Sequence, residues 1–222
     1  MDIVSLGTPF GLAFASGLNA YLPLLAFTVA VRWLHLYKVA PSFAFVTSNW
    51  CIALLAILTL LDFVADKIPL LDHGWDSIHT IIRPITGAVV AAAAGANALS
   101  AMHITPLASM HPSGRTIAAL STFPIAAIGP FVLLLIGGGL AALSHTAKAT
   151  TRLVSTITTA GLLNIGLSVL EDILVVIFVL LSLFASAIMF LLLIFLILLI
   201  VPQIFRRRSW RDLFVKRGGI FP

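Results

Sequence analysis

The chain predicts an all-α, polytopic membrane bundle of about six transmembrane helices, and three observations carry that expectation. Of its 222 residues, 60% are hydrophobic and 9% charged, with a mean hydropathy of +1.13, whereas a soluble domain carries about 25% charged residues. Apolar stretches recur near the roughly 20-residue length a helix needs to cross about 30 Å of hydrocarbon. The few charges gather at the ends of those stretches or, for Glu171 and Asp172, inside one. On this reading residues 1–205 are one membrane domain and 206–222 a basic cytoplasmic tail. The single cysteine, Cys51, excludes an internal disulfide.

No Lys or Arg precedes Arg32, so a signal peptide's basic n-region is missing, and residues 10–31 read as an uncleaved first span containing Asn19 and Pro23. The second span falls within residues 39–61 and runs into Asp62, Asp66, Lys67 and Pro69. Proline lacks the N–H a helix interior needs, so the helix stops near it. Residues 70–83, with Asp72, His73, Asp76 and His79, read as a polar connection. The third span, residues 84–102, is built from Gly87, Ala88, Ala91 to Ala94 and Gly95. Membrane helices pack through such small-residue faces, here against several neighbours or a second copy in a homo-oligomer. The fourth lies within residues 117–143, and residues 144–159 extend it toward the interface. Residues 161–205 would make one helix of about 68 Å, so a turn near residues 182–186 is expected to divide them. No Gly or Pro marks that turn, and a single long helix stays open.

The net charge is +5, and six of the thirteen cations follow the last span: Arg206, Arg207, Arg208, Arg211, Lys216 and Arg217. Beside a membrane span such a cluster marks the cytoplasmic side and meets anionic lipid headgroups; nucleic acid is not the expected partner. Six spans with both termini inside place ten cations inside and three, Arg32, Lys38 and Arg115, outside. Five spans with the N-terminus outside give nine against four. The positive-inside rule favours six.

In this topology four helix ends converge on the cytoplasmic side. They bring Asp62, Asp66 and Lys67 toward His79 and Arg83, His145, Lys148 and Arg152, and Glu171 and Asp172. A carboxylate at the centre of a membrane helix costs roughly 2.5–3.5 kcal/mol on insertion scales, so adjacent acids need a cation, water or protonation. Asp62 and Asp66 share a helix face, as do His145 and Lys148; Asp76 and His79 would aim at one metal if helical. Three uses are open. Asp66, Glu171 and Asp172 can handle an ion or proton in a transport path, with His145 as relay and Lys148 and Arg152 holding the acids or binding an anionic group. Asp66, His145, Glu171 and Asp172 can hold a divalent cation, in an enzyme acting on a lipid phosphate. Or Glu171 or Asp66 is neutralised by Lys148, Arg152 or Arg83 merely to fix helix register. Asn19, mid-span beside Gly17 and Pro23, reads as a bond to a neighbouring helix or the mark of a broken one. Residues 17–32 and 139–152 each run from a glycine to a cation, the weak outline of a 3+3 inverted repeat.

Several strings taken together resemble one family. They are Gly17-Leu18-Asn19-Ala20-Tyr21-Leu22-Pro23-Leu24, Asp66-Lys67-Ile68-Pro69 with Asp72 and Asp76, Arg83-Pro84, His145-x-x-Lys148-x-x-x-Arg152, and Ser168-x-x-Glu171-Asp172. The family is the bacterial membrane family of domain of unknown function 4126. The resemblance covers residues 11–181 and departs at Asp62, where glutamate is expected. It implies a multi-pass protein of the bacterial inner membrane with these polar positions as its characteristic ones, and implies no activity.

Overall fold

The described segments are dominated by α-helix, as lipid requires, because a helix satisfies its backbone N–H and C=O groups within its own segment. The computed structural model describes residues 3–39, 41–65, 69–101, 125–159 and 162–217, with side chains for 5–39, 42–65, 78–95, 129–159 and 162–202. Among them are α1 (Gly7–Ser16), α2 (Leu22–Arg32), α3 (Asn49–Ala65), α4 (Pro69–Ala101), α5 (Ile125–Thr159), α6 (Asn164–Phe184) and α7 (Ser186–Arg217). Short 3₁₀ turns, Ile3–Leu6 and Pro41–Thr47, precede α1 and α3. Ile78–Gly95, Gly129–Thr159 and Asn164–Phe184 are long and apolar enough to cross a membrane, and Leu22–Arg32, Asn49–Ala65 and Ser186–Pro202 are shorter apolar helices. Exposed side chains include Trp50, Leu54 and Ile57 on α3, Ile173 and Ile177 on α6, and Leu191 and Leu198 on α7. Asp62, His79, Arg83, Lys148 and Glu171 lie inside, each at most 8% exposed. Apolar outside and charged within, this is a membrane bundle.

The first span, expected as one helix over residues 10–31, is two. α1 ends at Ser16, the chain turns through residues 17–21, and α2 begins at Leu22. The pair folds back as a hairpin. Thr8 Oγ1, at the start of α1, donates to Ser182 O at 2.8 Å, and the Tyr37 hydroxyl, beyond α2, donates to the adjacent Leu183 O. Both open ends therefore stand beside the C-terminal end of α6. Helices of 10 and 11 residues are about 15 Å long at 1.5 Å per residue, half the hydrocarbon thickness. Hydropathy over residues 10–31 is the same for a straight span and for this hairpin, so the sequence average conceals the break.

From the open end, where Arg32 Nη1 donates to Thr47 O at 2.7 Å, α3 leads toward the tip, where Asp62 meets His79. α4 then returns, and α5 runs antiparallel to it: Gly87, Ala91 and Gly95 face Ala141, Gly137 and Leu133. α6 returns again, and α7 runs beside α1, with Gly7 against Ser186 and Gly11 against Met189. The reversal between α6 and α7 falls at Ala185, inside the stretch where a turn was expected. Residues 144–159 extend α5 as expected.

Two further expectations are corrected. Residues 70–83 are the first turns of α4, which passes through Pro84, and not a connection. Of their polar side chains His79 and Arg83 are buried, so part of what reads as loop polarity is the inward face of a helix. Gly17 ends a helix whereas Gly139 lies within one, so the two segments compared as a repeat differ locally.

Candidate functional site

The break between α1 and α2 creates the site. A helix end inside a bundle leaves N–H and C=O groups that something must satisfy. Asn19 Oδ1 accepts from the N–H groups of Tyr21 (3.2 Å) and Leu22 (2.9 Å), capping the start of α2. Asn19 thus serves its own chain and not a neighbouring helix. At the end of α1, Phe14 O accepts from Ser144 Oγ at 2.6 Å, Gly17 O from Arg83 Nη1 at 3.3 Å, and Leu18 O from Lys148 Nζ at 3.1 Å. Cations suit this position twice, as donors and as charges at the negative end of the helix dipole. Gly17 is needed for space: its φ of −74° is ordinary, but a β-carbon there would lie 1.8 Å from Ser144 Oγ and 2.1 Å from Ala141 O.

The same cations lead on to acids. Lys148 Nζ is 3.1 Å from Glu171 Oε2. Arg152 Nη2 donates to that oxygen at 2.7 Å and Arg152 Nε to Oε1 at 3.4 Å, a two-point pairing that fixes the carboxylate's orientation. His145 Nδ1 lies 2.9 Å from Arg83 Nη1. A guanidinium only donates, so Nδ1 is the acceptor of this contact, and Nε2 lies 3.3 Å from Thr80 Oγ1. Across the tip, His79 Nε2 is 3.5 Å from Asp62 Oδ1, and the Tyr21 ring stands edge-on to His79 with centroids 5.6 Å apart.

Of the residues singled out in the sequence, the hairpin tip gathers Asn19, Asp62, His79, Arg83, His145, Lys148, Arg152 and Glu171. Asp66 and Lys67 lie outside the described residues, and Asp76 is placed on α4 without its side chain. Asp172, about 100° around α6 from Glu171, is half-buried. Of the metal candidates, His145 meets Arg83, and Glu171 meets Lys148 and Arg152. Among the described residues no three His, Cys, Asp or Glu side chains gather as metal ligands. The pairing of Glu171 with Lys148 and Arg152, which the transport and the register readings share, is formed.

Sequence reasoning missed the carbonyls of Gly17 and Leu18, the ring of Tyr21, and the hydroxyls of Thr80 and Ser144. The hydroxyls adjoin His79 and His145 in the chain, which was their only signal. The carbonyls were signalled only by the break itself, through Gly17, Asn19 and Pro23.

Fold and site together define a helical membrane protein with a buried charged cluster at an unwound hairpin tip. The chain belongs to the family described as domain of unknown function 4126, whose model matches residues 6–206 and so takes in every helix that builds the cluster. No curated protein and no solved structure matches it.

Proposed function

We propose that the chain is a membrane transport protein for an ion or small polar solute, with the α1–α2 hairpin tip facing the solute. The observation that most supports this is the unwound backbone of residues 17–21 set among buried Arg83, Lys148, Arg152 and Glu171. Irregular backbone at membrane depth is tolerated where protein holds it or where it lines a polar path, and half-length helices ending at a charged site are a transporter device. Lys148 couples the two parts, because one ammonium touches both Leu18 O on the tip and Glu171 on α6. A solute or proton that takes Glu171 from Lys148 also loosens the hold on the tip.

α7 starts at the open end, where Ser186 meets Gly7, and runs toward the tip side with Arg206, Arg207, Arg208, Arg211, Lys216 and Arg217 in its last turns. The positive-inside rule assigns that end, with the C-terminus and its anionic-lipid partners, to the cytoplasm of a bacterial inner membrane. Because the hairpin does not cross, the N-terminus falls on the other side with Arg32 and Lys38.

Proteoliposomes test the reading. The native chain is expected to pass small ions or solutes, and Glu171→Gln to lose that flux while remaining monodisperse in detergent. Loss of the folded protein instead, restored when Lys148 or Arg152 is also neutralised, would identify a purely structural pair. The two-point pairing of Arg152 is what favours that second reading.

A further inference from the structure

We infer that the α5–α6 hairpin carries a subsite for a small oxyanion, a phosphate or carboxylate group, formed by Ser155, Ser168 and Arg152. As a solute site it rests on the transport reading and gives that solute its charge. A helical serine or threonine commonly places its hydroxyl on the carbonyl one turn back. This chain does so at Ser16, Thr59, Thr146, Thr151, Thr156 and Ser182. Ser155 and Ser168 do not. Both Oγ atoms are buried without a hydrogen-bond partner, in residues 7% and 0% exposed. Buried hydroxyls are ordinarily satisfied, so two such exceptions call for a ligand.

Their placement says which ligand. Ser155 is three residues after Arg152 and Ser168 three before Glu171, so each shares a helix face with one member of that pair. α5 and α6 run antiparallel, and the 2.7 Å contact between Arg152 and Glu171 sets their register. Both serines therefore stand one turn beyond the pair, on the side of the α5–α6 connection. Two hydroxyls one turn from a guanidinium offer O–H and forked N–H donors, the set that planar or tetrahedral oxyanions take. The Glu171 carboxylate, an oxyanion itself, already occupies Arg152 but bonds neither hydroxyl. An incoming oxyanion takes over the Arg152 donors and satisfies the serines as well, which frees Glu171.

The test measures binding, apart from flux. The full chain in zwitterionic-lipid nanodiscs is titrated with inorganic phosphate, acetate and chloride at constant ionic strength, following thermal unfolding by tryptophan fluorescence. A saturable rise in unfolding temperature is expected with phosphate or acetate and not with chloride. Ser155→Ala/Ser168→Ala should raise the half-saturating concentration at least tenfold, and each single variant should do so in part. Without anion the double variant should unfold no lower than the native chain, since alanine removes the unsatisfied hydroxyl. A rise seen only in nanodiscs containing phosphatidylglycerol, and lost in the double variant, assigns the same chemistry to a lipid headgroup. No anion-dependent rise, a rise with chloride as large as with phosphate, or equal rises in native and double-variant proteins would overturn the subsite. Flux of some solute without serine-dependent binding sinks the subsite and leaves transport standing; serine-dependent binding without flux does the reverse.

Discussion

The two ends of the same three helices are held together in opposite ways. Toward the open end of the hairpin, α4 and α5 meet through Gly87, Ala91, Gly95 and Gly137, with Ala13 of α1 close by. Toward the tip, α1, α4 and α5 meet through Ser144, Arg83, His145 and Lys148. The first contact is dispersion between backbones brought close by missing side chains, and it leaves no polar atom to satisfy. The second exists because a helix was broken there and its carbonyls needed donors. A glycine seam has one arrangement, whereas a set of charges can exchange partners. The rigid half thus holds the exchangeable half in place, and solute chemistry belongs to the latter.

The largest expected effect breaks the charged half. Glu171→Ala leaves Arg152 and Lys148 buried without the carboxylate they share, and removing one member of a buried pair costs roughly 3–5 kcal/mol. Glu171→Gln should cost much less, since its amide oxygen still accepts from Arg152. Adding Arg152→Met to Glu171→Ala should return part of the loss, read as thermal unfolding in detergent. Equal stability of Glu171→Ala and the native chain would mean that the tip is held by its carbonyl contacts alone.

The glycine half is tested by two residues of one run. A β-carbon on Gly137 would stand 2.3 Å from Ala91 Cβ and 2.7 Å from Gly87 O, whereas one on Gly139 meets nothing within 4 Å. Gly137→Ala should therefore destabilise by about 1–3 kcal/mol through overpacking. Gly139→Ala should stabilise by up to about 1 kcal/mol, because alanine is the better helix former. Like results at both positions would show that the α4–α5 seam is looser than these distances.

These two halves also differ in how far the sequence disclosed them. The seam was visible as a small-residue face at Gly87 and Ala91 to Ala94, because close packing leaves its mark in residue size. The gathering of His145, Lys148, Arg152 and Glu171 was visible because charges in apolar tracts stand out. The break was legible as one of two readings of Asn19 between Gly17 and Pro23, but the fold-back was hidden, since residues 10–31 are apolar whether straight or folded back, and the contacts at Ser182 and Leu183 that reverse the chain come from residues over 140 positions away. The inward turn of His79 and Arg83 was hidden as well, because the polarity of residues 70–83 fits both a loop and a helix with a buried face. Backbone carbonyls, half of the tip's chemistry, have no letter in the sequence.

The smallest effect sharpens the comparison at the break itself. Asn19 bonds only its own chain, so Asn19→Ala removes a helix cap worth about 1 kcal/mol and leaves every cation in place. Asn19→Asp keeps an acceptor for the Tyr21 and Leu22 N–H groups and should restore the helix start. If the tip is only structural, Asn19→Ala should lower the unfolding temperature slightly and do nothing else. If the tip positions a solute, the loosened carbonyls of Gly17 and Leu18 should change flux by far more than about 1 kcal/mol of stability accounts for. Comparing unfolding and flux in that one variant separates a cap that merely holds from one that aims.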